Sequence, residues 1–190
     1  MKNLKISLLA IIAMASFSSC SSDDDVLTPV NEEEVITTIT ATFTPQTGGT
    51  PIILKSQDLD GDGPEAPVLT VSGDFTTGMT YNGTVTFFNE LANPVEDITE
   101  EVQEEGDEHQ IFFQENGVGN ITYTDEDVNG NPIGLNFTFE ASETAASGNF
   151  TITLIHEPNK TAQGVSDGDI TNAGGSTDAI ATFSVNVTQP

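Results

Sequence analysis

The stretch QDLDGDGPE, residues 57–65, sets aspartates at 58, 60 and 62 ahead of Gly63. Alternate acids in a glycine turn match the first, third and fifth ligand positions of a calcium-binding loop. Asp58, Asp60 and Asp62 are therefore candidate calcium ligands, with Glu65 as a nearby fourth. The pattern departs from an EF-hand at its twelfth position, which is Leu69, and in having strand-like rather than helical flanks. A weaker copy, Asp125, Asp127 and Asn129 before Gly130, repeats the spacing. The plain alternative for both is an Asp/Gly hairpin turn that holds no ion. A later stretch, VSDGDITNAGG (165–175), reads as a long polar loop whose Asp167 and Asp169 offer further ligands.

The two histidines form a second constellation. His109 follows the acidic run DITEEVQEEGDE and shares strand parity with Ile111 and Phe113. His156 ends NFTITLIHEP and shares parity with Phe150, Ile152 and Leu154. Both are expected at strand ends, on faces that contain core residues. If those ends meet at one rim, neutral imidazoles with Glu108, Glu157 or Asp107 suit Zn²⁺ or Cu²⁺. No H-x-H or H-x₃-H spacing supports the pairing, and two unrelated rim histidines are the alternative. Catalytic motifs are absent from the sequence: no nucleophile elbow, no HExxH and no phosphate loop. The expectation is a non-enzyme.

The elements that must position these groups are mostly strands. Ile39, Ala41 and Phe43 alternate with Thr38, Thr40 and Thr42, a period of two. Further strands are expected at 51–57, 67–72, 80–89, 110–114, 120–124, 134–140, 149–156 and 179–187, separated by turns such as QTGGTP, VNGNP and ASGN. Nine short strands with such turns indicate an all-β fold, an Ig-like antiparallel β-sandwich. The similarity of ITATF to IATFSVNV suggests that first and last strands are neighbours in one sheet. Residues 52–72 and 120–139 echo one another as strand, D-x-D-x-[DN]-G, strand. One short acidic helix is expected near 94–105, with Asn93 as cap, Pro94 at its first position and Glu96 at its third. Val95, Ile98 and Val102 form its buried face, and Gly106 its stop. Its glutamates stack at i, i+4, each such pair costing roughly 0.2–0.5 kcal/mol. They read either as a solvated face or as a patch that attracts cations or a basic partner.

The first residues decide location. Lys2 and Lys5 precede an apolar run, Ile6 to Phe17, too short to span a bilayer. Phe-Ser-Ser-Cys then resembles a bacterial lipobox, which implies that residues 1–19 are a lipoprotein signal peptide and Cys20 the lipidated (palmitate-bearing) first mature residue; the alternative is ordinary signal cleavage beside an incidental cysteine. The acidic run Asp23-Asp24-Asp25 resembles the surface-export signal of Bacteroidota lipoproteins. Residues 20–33 then form the lipidated cysteine and a flexible acidic tether, and 34–190 a single β-sandwich domain. Cys20 is the only cysteine, so no intramolecular disulfide forms. All 30 acids lie beyond it, facing only Lys55 and Lys160, with no arginine anywhere. Nucleic acid is excluded as a partner, since phosphate contacts need lysine and arginine. Such a field attracts cations or basic surfaces, and also serves solubility in salty water.

The lipobox, QDLDGDGPEAP, EDITEEVQEEGDEHQ, HEPNK and GDITNAGG together resemble small acidic Bacteroidota lipoproteins of the Flavobacterium type. The resemblance implies a lipid-anchored outer-membrane protein, exposed at the cell surface and associated with a TonB-dependent receptor. Some such proteins are labelled "type 1 periplasmic binding fold superfamily". That label implies two α/β lobes, which this strand-rich pattern lacks. The expected function is capture of a ligand, with a metal cation as the candidate, as accessory to the uptake receptor. The alternative is a structural or adhesive surface module rigidified by calcium.

Overall fold

Threonine alternates with apolar residues along most of the chain, and these runs become strands with their apolar faces turned inward. The computed structural model describes residues 34–190 except Asp62. In chain order it contains β1 (Thr38–Pro45), β2 (Ile52–Gln57), β3 (Val68–Val71), β4 (Phe75–Thr76), β5 (Thr80–Asn89) and β6 (Glu96–Asp97). The helix α1 (Ile98–Glu104) follows. Then come β7 (His109–Glu115), β8 (Gly119–Tyr123), β9 (Asn136–Ala141), β10 (Ala146–His156) and β11 (Ser176–Thr188). The expected strands all form; β4 and β6 are extra, and at two residues each they are too short for a period-two pattern to register.

The strands make two sheets. One runs β3-β2-β1-β5-β9-β8, with β6 paired to β5; the other runs β4-β11-β10-β7. The pairings are antiparallel except that of β4 with β11, which is parallel. The fold is an all-β sandwich with one short helix. β1 and β11 lie in opposite sheets, so their sequence similarity does not make them neighbours. It reflects a shared inward pattern of Ala and Phe, with Ala41 and Phe43 in one sheet facing the same core as Ala181 and Phe183 in the other. The two echoing segments do form hairpins, β2–β3 and β8–β9, at opposite edges of the larger sheet.

Without tryptophan, the core is built from phenylalanine. Phe43 meets Phe75, Phe137, Phe139 and Phe150 edge-on, at centroid distances of 5.0, 5.5, 5.6 and 5.4 Å. This is the arrangement that the ring quadrupole favours. A smaller cluster of Phe112, Ile155, Val165 and Ala173 packs on the other face of β7 and β10. The polar stretch 165–175 supplies its cover, through 3₁₀ turns at Val165–Asp167 and Ile170–Asn172. Gln110 Nε2 donates to Val165 O at 2.8 Å and ties this cover down. Asp169 caps the second turn by accepting from Thr171 N at 2.9 Å.

The helix starts later than expected. Glu96 and Asp97 pair with Asn89 and Phe88 of β5, so the chain is extended where Pro94 suggested a first turn. Asp97, not Asn93, is the cap, accepting from Thr99 N at 3.0 Å. Ile98 and Val102 are buried as expected, whereas Val95 is 57% exposed. Thr99 Oγ1 accepts from Phe87 N at 2.9 Å and donates to Phe87 O at 3.2 Å, fastening α1 to β5. Gly106 follows the last turn as expected, and a Cβ there would lie 2.6 Å from Ile133 Cδ1, the mobile end of that side chain.

Candidate metal centre at one rim of the sandwich

The end of α1 and the start of β7 bring His109 to the rim, and β10 ends there with His156. The two residues are register partners across the β7–β10 pair. Directly opposed side chains in an antiparallel pair share one face, and the imidazoles stack with centroids 4.7 Å apart and planes 15° from parallel. The parity expected for each histidine therefore brings both to one place.

His109 is fully buried. Its Nδ1 lies 3.1 Å from Glu105 O. A carbonyl only accepts, so Nδ1 carries a proton and Nε2 is the nitrogen available for a second proton or a metal ion. Nε2 sits 3.2 Å from Glu34 Oε1 and 3.9 Å from Asp178 Oδ2. These carboxylates are themselves enclosed, with side chains 9% and 5% exposed. Despite this crowding, His109 Nε2 and Glu34 Oε2 make no aligned hydrogen bond. Burial pulls the His109 pKa down, but the Glu34 carboxylate, the Glu105 carbonyl and Asp178 outweigh it, leaving it above the ordinary histidine value.

Around this centre the ligand atoms fall into three overlapping sets, each within 4.8 Å: His109, His156 and Asp178; Glu34, Glu105 and His109; and Glu108, His156 and Glu157. Glu108 Oε2 lies 3.9 Å from His156 Nε2. Glu157 N donates to Glu108 O at 2.6 Å, holding the two flanking acids together. The acidic helix adds to the field: burial, then the charges of Glu34, Glu105 and Glu96, hold the Glu101 carboxyl above its usual range. Two imidazoles with carboxylates form a donor set suited to borderline divalent metals.

Glu34 and Asp178 were not among the sequence candidates. Glu34 lies in the lead-in to β1, outside any periodic run. That lead-in is pinned by Thr37, whose N donates to Phe88 O at 3.0 Å and whose Oγ1 accepts from Glu90 N at 2.9 Å. Asp178 belongs by alternation to the solvent face of β11. A register shift, with Leu154 opposite Ala179 and Ile155 opposite Thr177, leaves Asp178 as the extra residue of a bulge. Bulges re-aim side chains in this way.

The other candidates are dispersed. Asp58 Oδ1 accepts from Asp60 N at 3.2 Å and Gly61 N at 2.9 Å, and Asp60 Oδ2 accepts from Glu65 N at 3.2 Å. This is the bonding of an aspartate-closed turn. Asp62 and Cys20 fall outside the described residues. Asp58 opens onto a groove of about 530 Å³ that Glu34 and Asp178 also line. Asp125 accepts from Gly134 N and Asn136 N, both at 2.8 Å. Asp127 Oδ1 accepts from Asn129 N at 2.8 Å and Asn131 N at 2.9 Å, while Oδ2 takes Lys160 Nζ at 3.0 Å. Asn129 is exposed at the tip. Here backbone amides and Lys160 bond the carboxylates from within the loop and its surroundings.

Fold and site together describe an all-β sandwich with a histidine–carboxylate cluster at one rim. No family model, curated protein or solved structure matches the chain.

Proposed function

We propose that this protein is a surface-displayed lipoprotein that binds a borderline divalent metal ion, Zn²⁺ or Cu²⁺, and breaks no bonds. The observation that carries the reading is the convergence of His109 Nε2, His156, Asp178 and Glu34 at one enclosed rim. The Nδ1 contact with Glu105 O presents Nε2 to the ion, and the carboxylates balance its charge. Metal and proton compete for Nε2, so loading is proton-linked. The lipid anchor expected at Cys20 and the resemblance to receptor-associated lipoproteins support a role as accessory to a TonB-dependent uptake receptor.

Titration calorimetry on a soluble chain carrying Cys20→Ser, with Zn²⁺, Cu²⁺ and Ca²⁺ in turn, tests the reading. One tight transition-metal site is expected, weakened at least tenfold by His109→Ala or His156→Ala. Saturating metal at about 100 times Kd should add about 2.7 kcal/mol of stability. No transition-metal binding tighter than millimolar would end the proposal. Calcium binding that raises the melting temperature equally in both histidine variants would instead favour the calcium-rigidified module.

A further inference from the structure

The three ligand sets differ in how far they reach toward solvent. His109, Asp178 and Glu34 have side chains 0%, 5% and 9% exposed, and His156 8%. Glu108 is 56% exposed, and Glu157 is also exposed. His156 belongs both to the set containing His109 and Asp178 and to the set containing Glu108 and Glu157. An ion engaging His109 needs a path to a fully buried ring. Glu108 and Glu157 are the exposed members of the set built on His156, Glu105 is the exposed member of the set it forms with Glu34 and His109, and the two rings are stacked at 4.7 Å.

We propose that Glu108, Glu157 and His156 form an outer station that captures a divalent transition-metal ion and passes it to the enclosed set of His109, His156 and Asp178, beside which Glu34 Oε1 lies 3.2 Å from His109 Nε2. This rests on the metal-binding reading above. Because His156 belongs to both sets, the ion moves inward without leaving imidazole ligation altogether. The geometry of the outer set is held by backbone: Glu157 N bonds Glu108 O, and the register partnership of the two histidines keeps that contact beside the rings. Clefts lined by charge of one sign concentrate counter-ions and raise association rates about 10- to 1000-fold. Glu108 and Glu157 are placed where that effect acts on the ion's path.

Stopped-flow measurement with Zn²⁺, following uptake directly and release into a fluorescent chelator, tests this. In Glu108→Gln/Glu157→Gln, association and release should slow together, by about tenfold, because a path serves both directions. Glu140→Gln/Glu143→Gln removes the same charge toward the Thr80 end of β5, away from the histidines, and should leave both rates near wild type. Asp178→Asn should instead speed release. Wild-type chain that takes up no Zn²⁺ would overturn both readings. Uptake by Glu108→Gln/Glu157→Gln as fast as by the distant control, or faster release like that of Asp178→Asn, would overturn the outer station alone.

Discussion

Lys160 is 5% exposed, and its ammonium donates to Asp127 Oδ2, Gly106 O and Pro132 O. Three acceptors need three N–H donors, so the amine is charged in the fold. Burial draws its pKa below the ordinary lysine value, against the opposing pull of Asp127. Removing one partner of a buried pair leaves the other uncompensated, so Lys160→Met should cost about 3–5 kcal/mol in urea denaturation. For Asp127, burial raises the carboxyl pKa but the Asn131 and Asn129 amides and Lys160 outweigh it, and the net shift is downward. A depressed folded pKa contributes stability that is present above the unfolded value of about 3.9 and lost as pH falls through the folded one. The stability gap between wild type and Asp127→Asn should therefore be widest near neutral pH and shrink in acid below about pH 3.9. The D-x-D-x-N spacing was legible in the sequence, but its partner was not. Lys160 approaches from a segment 33 residues away, and only the folded chain brings it there.

Among the elements, the junction of β10 and β11 controls the rim. Gly175 has φ +71°, and a Cβ there would lie 2.2 Å from His156 O. Gly174 has a similar φ of +63° but open space around its Cα. Both alanine substitutions bear the left-handed backbone penalty of about 1 kcal/mol; only Gly175→Ala also pushes β11 away from His156. It should lose more stability than Gly174→Ala, and should weaken Zn²⁺ binding where Gly174→Ala does not, in paired thermal melts and calorimetry. Strand positions along β10 and β11 were readable because a half-buried strand repeats every two residues. The bulge was not, because it arises from how two strands fit one another. The helix start was misplaced for a related reason: Asn93-Pro94-Val95-Glu96 carries good local capping chemistry, but β5 pairs with Glu96 and Asp97 and keeps them extended.

At the scale of the whole molecule, 30 acids face four lysines, a formal net charge of −26 at pH 7. Self-repulsion of that size destabilises the compact state and is screened by salt. Raising NaCl from about 0.01 M to about 0.15 M shortens the Debye length from roughly 30 Å to roughly 8 Å. The metal-free protein should gain about 1 kcal/mol, or about 2–4 °C in Tm for a chain of this size. A flat or falling Tm would mean that the acids are locally compensated. On the proposed metal-binding reading, the same field would draw cations toward the rim.

Sequence alone determined the class of fold and the sign of the field, because alternation of apolar and polar residues and the tally of charges are properties of the chain. It also carried the parity that turns each histidine toward the core. Tertiary structure decided that the two histidines meet, since register between β7 and β10 depends on packing across the sandwich. It decided too that Glu34 and Asp178 join them: one enters with the lead-in to β1, the other through a bulge. Glu34 lies outside any local period and the bulge overrides that of Asp178, so proximity at the rim exists only once both sheets have closed over the core.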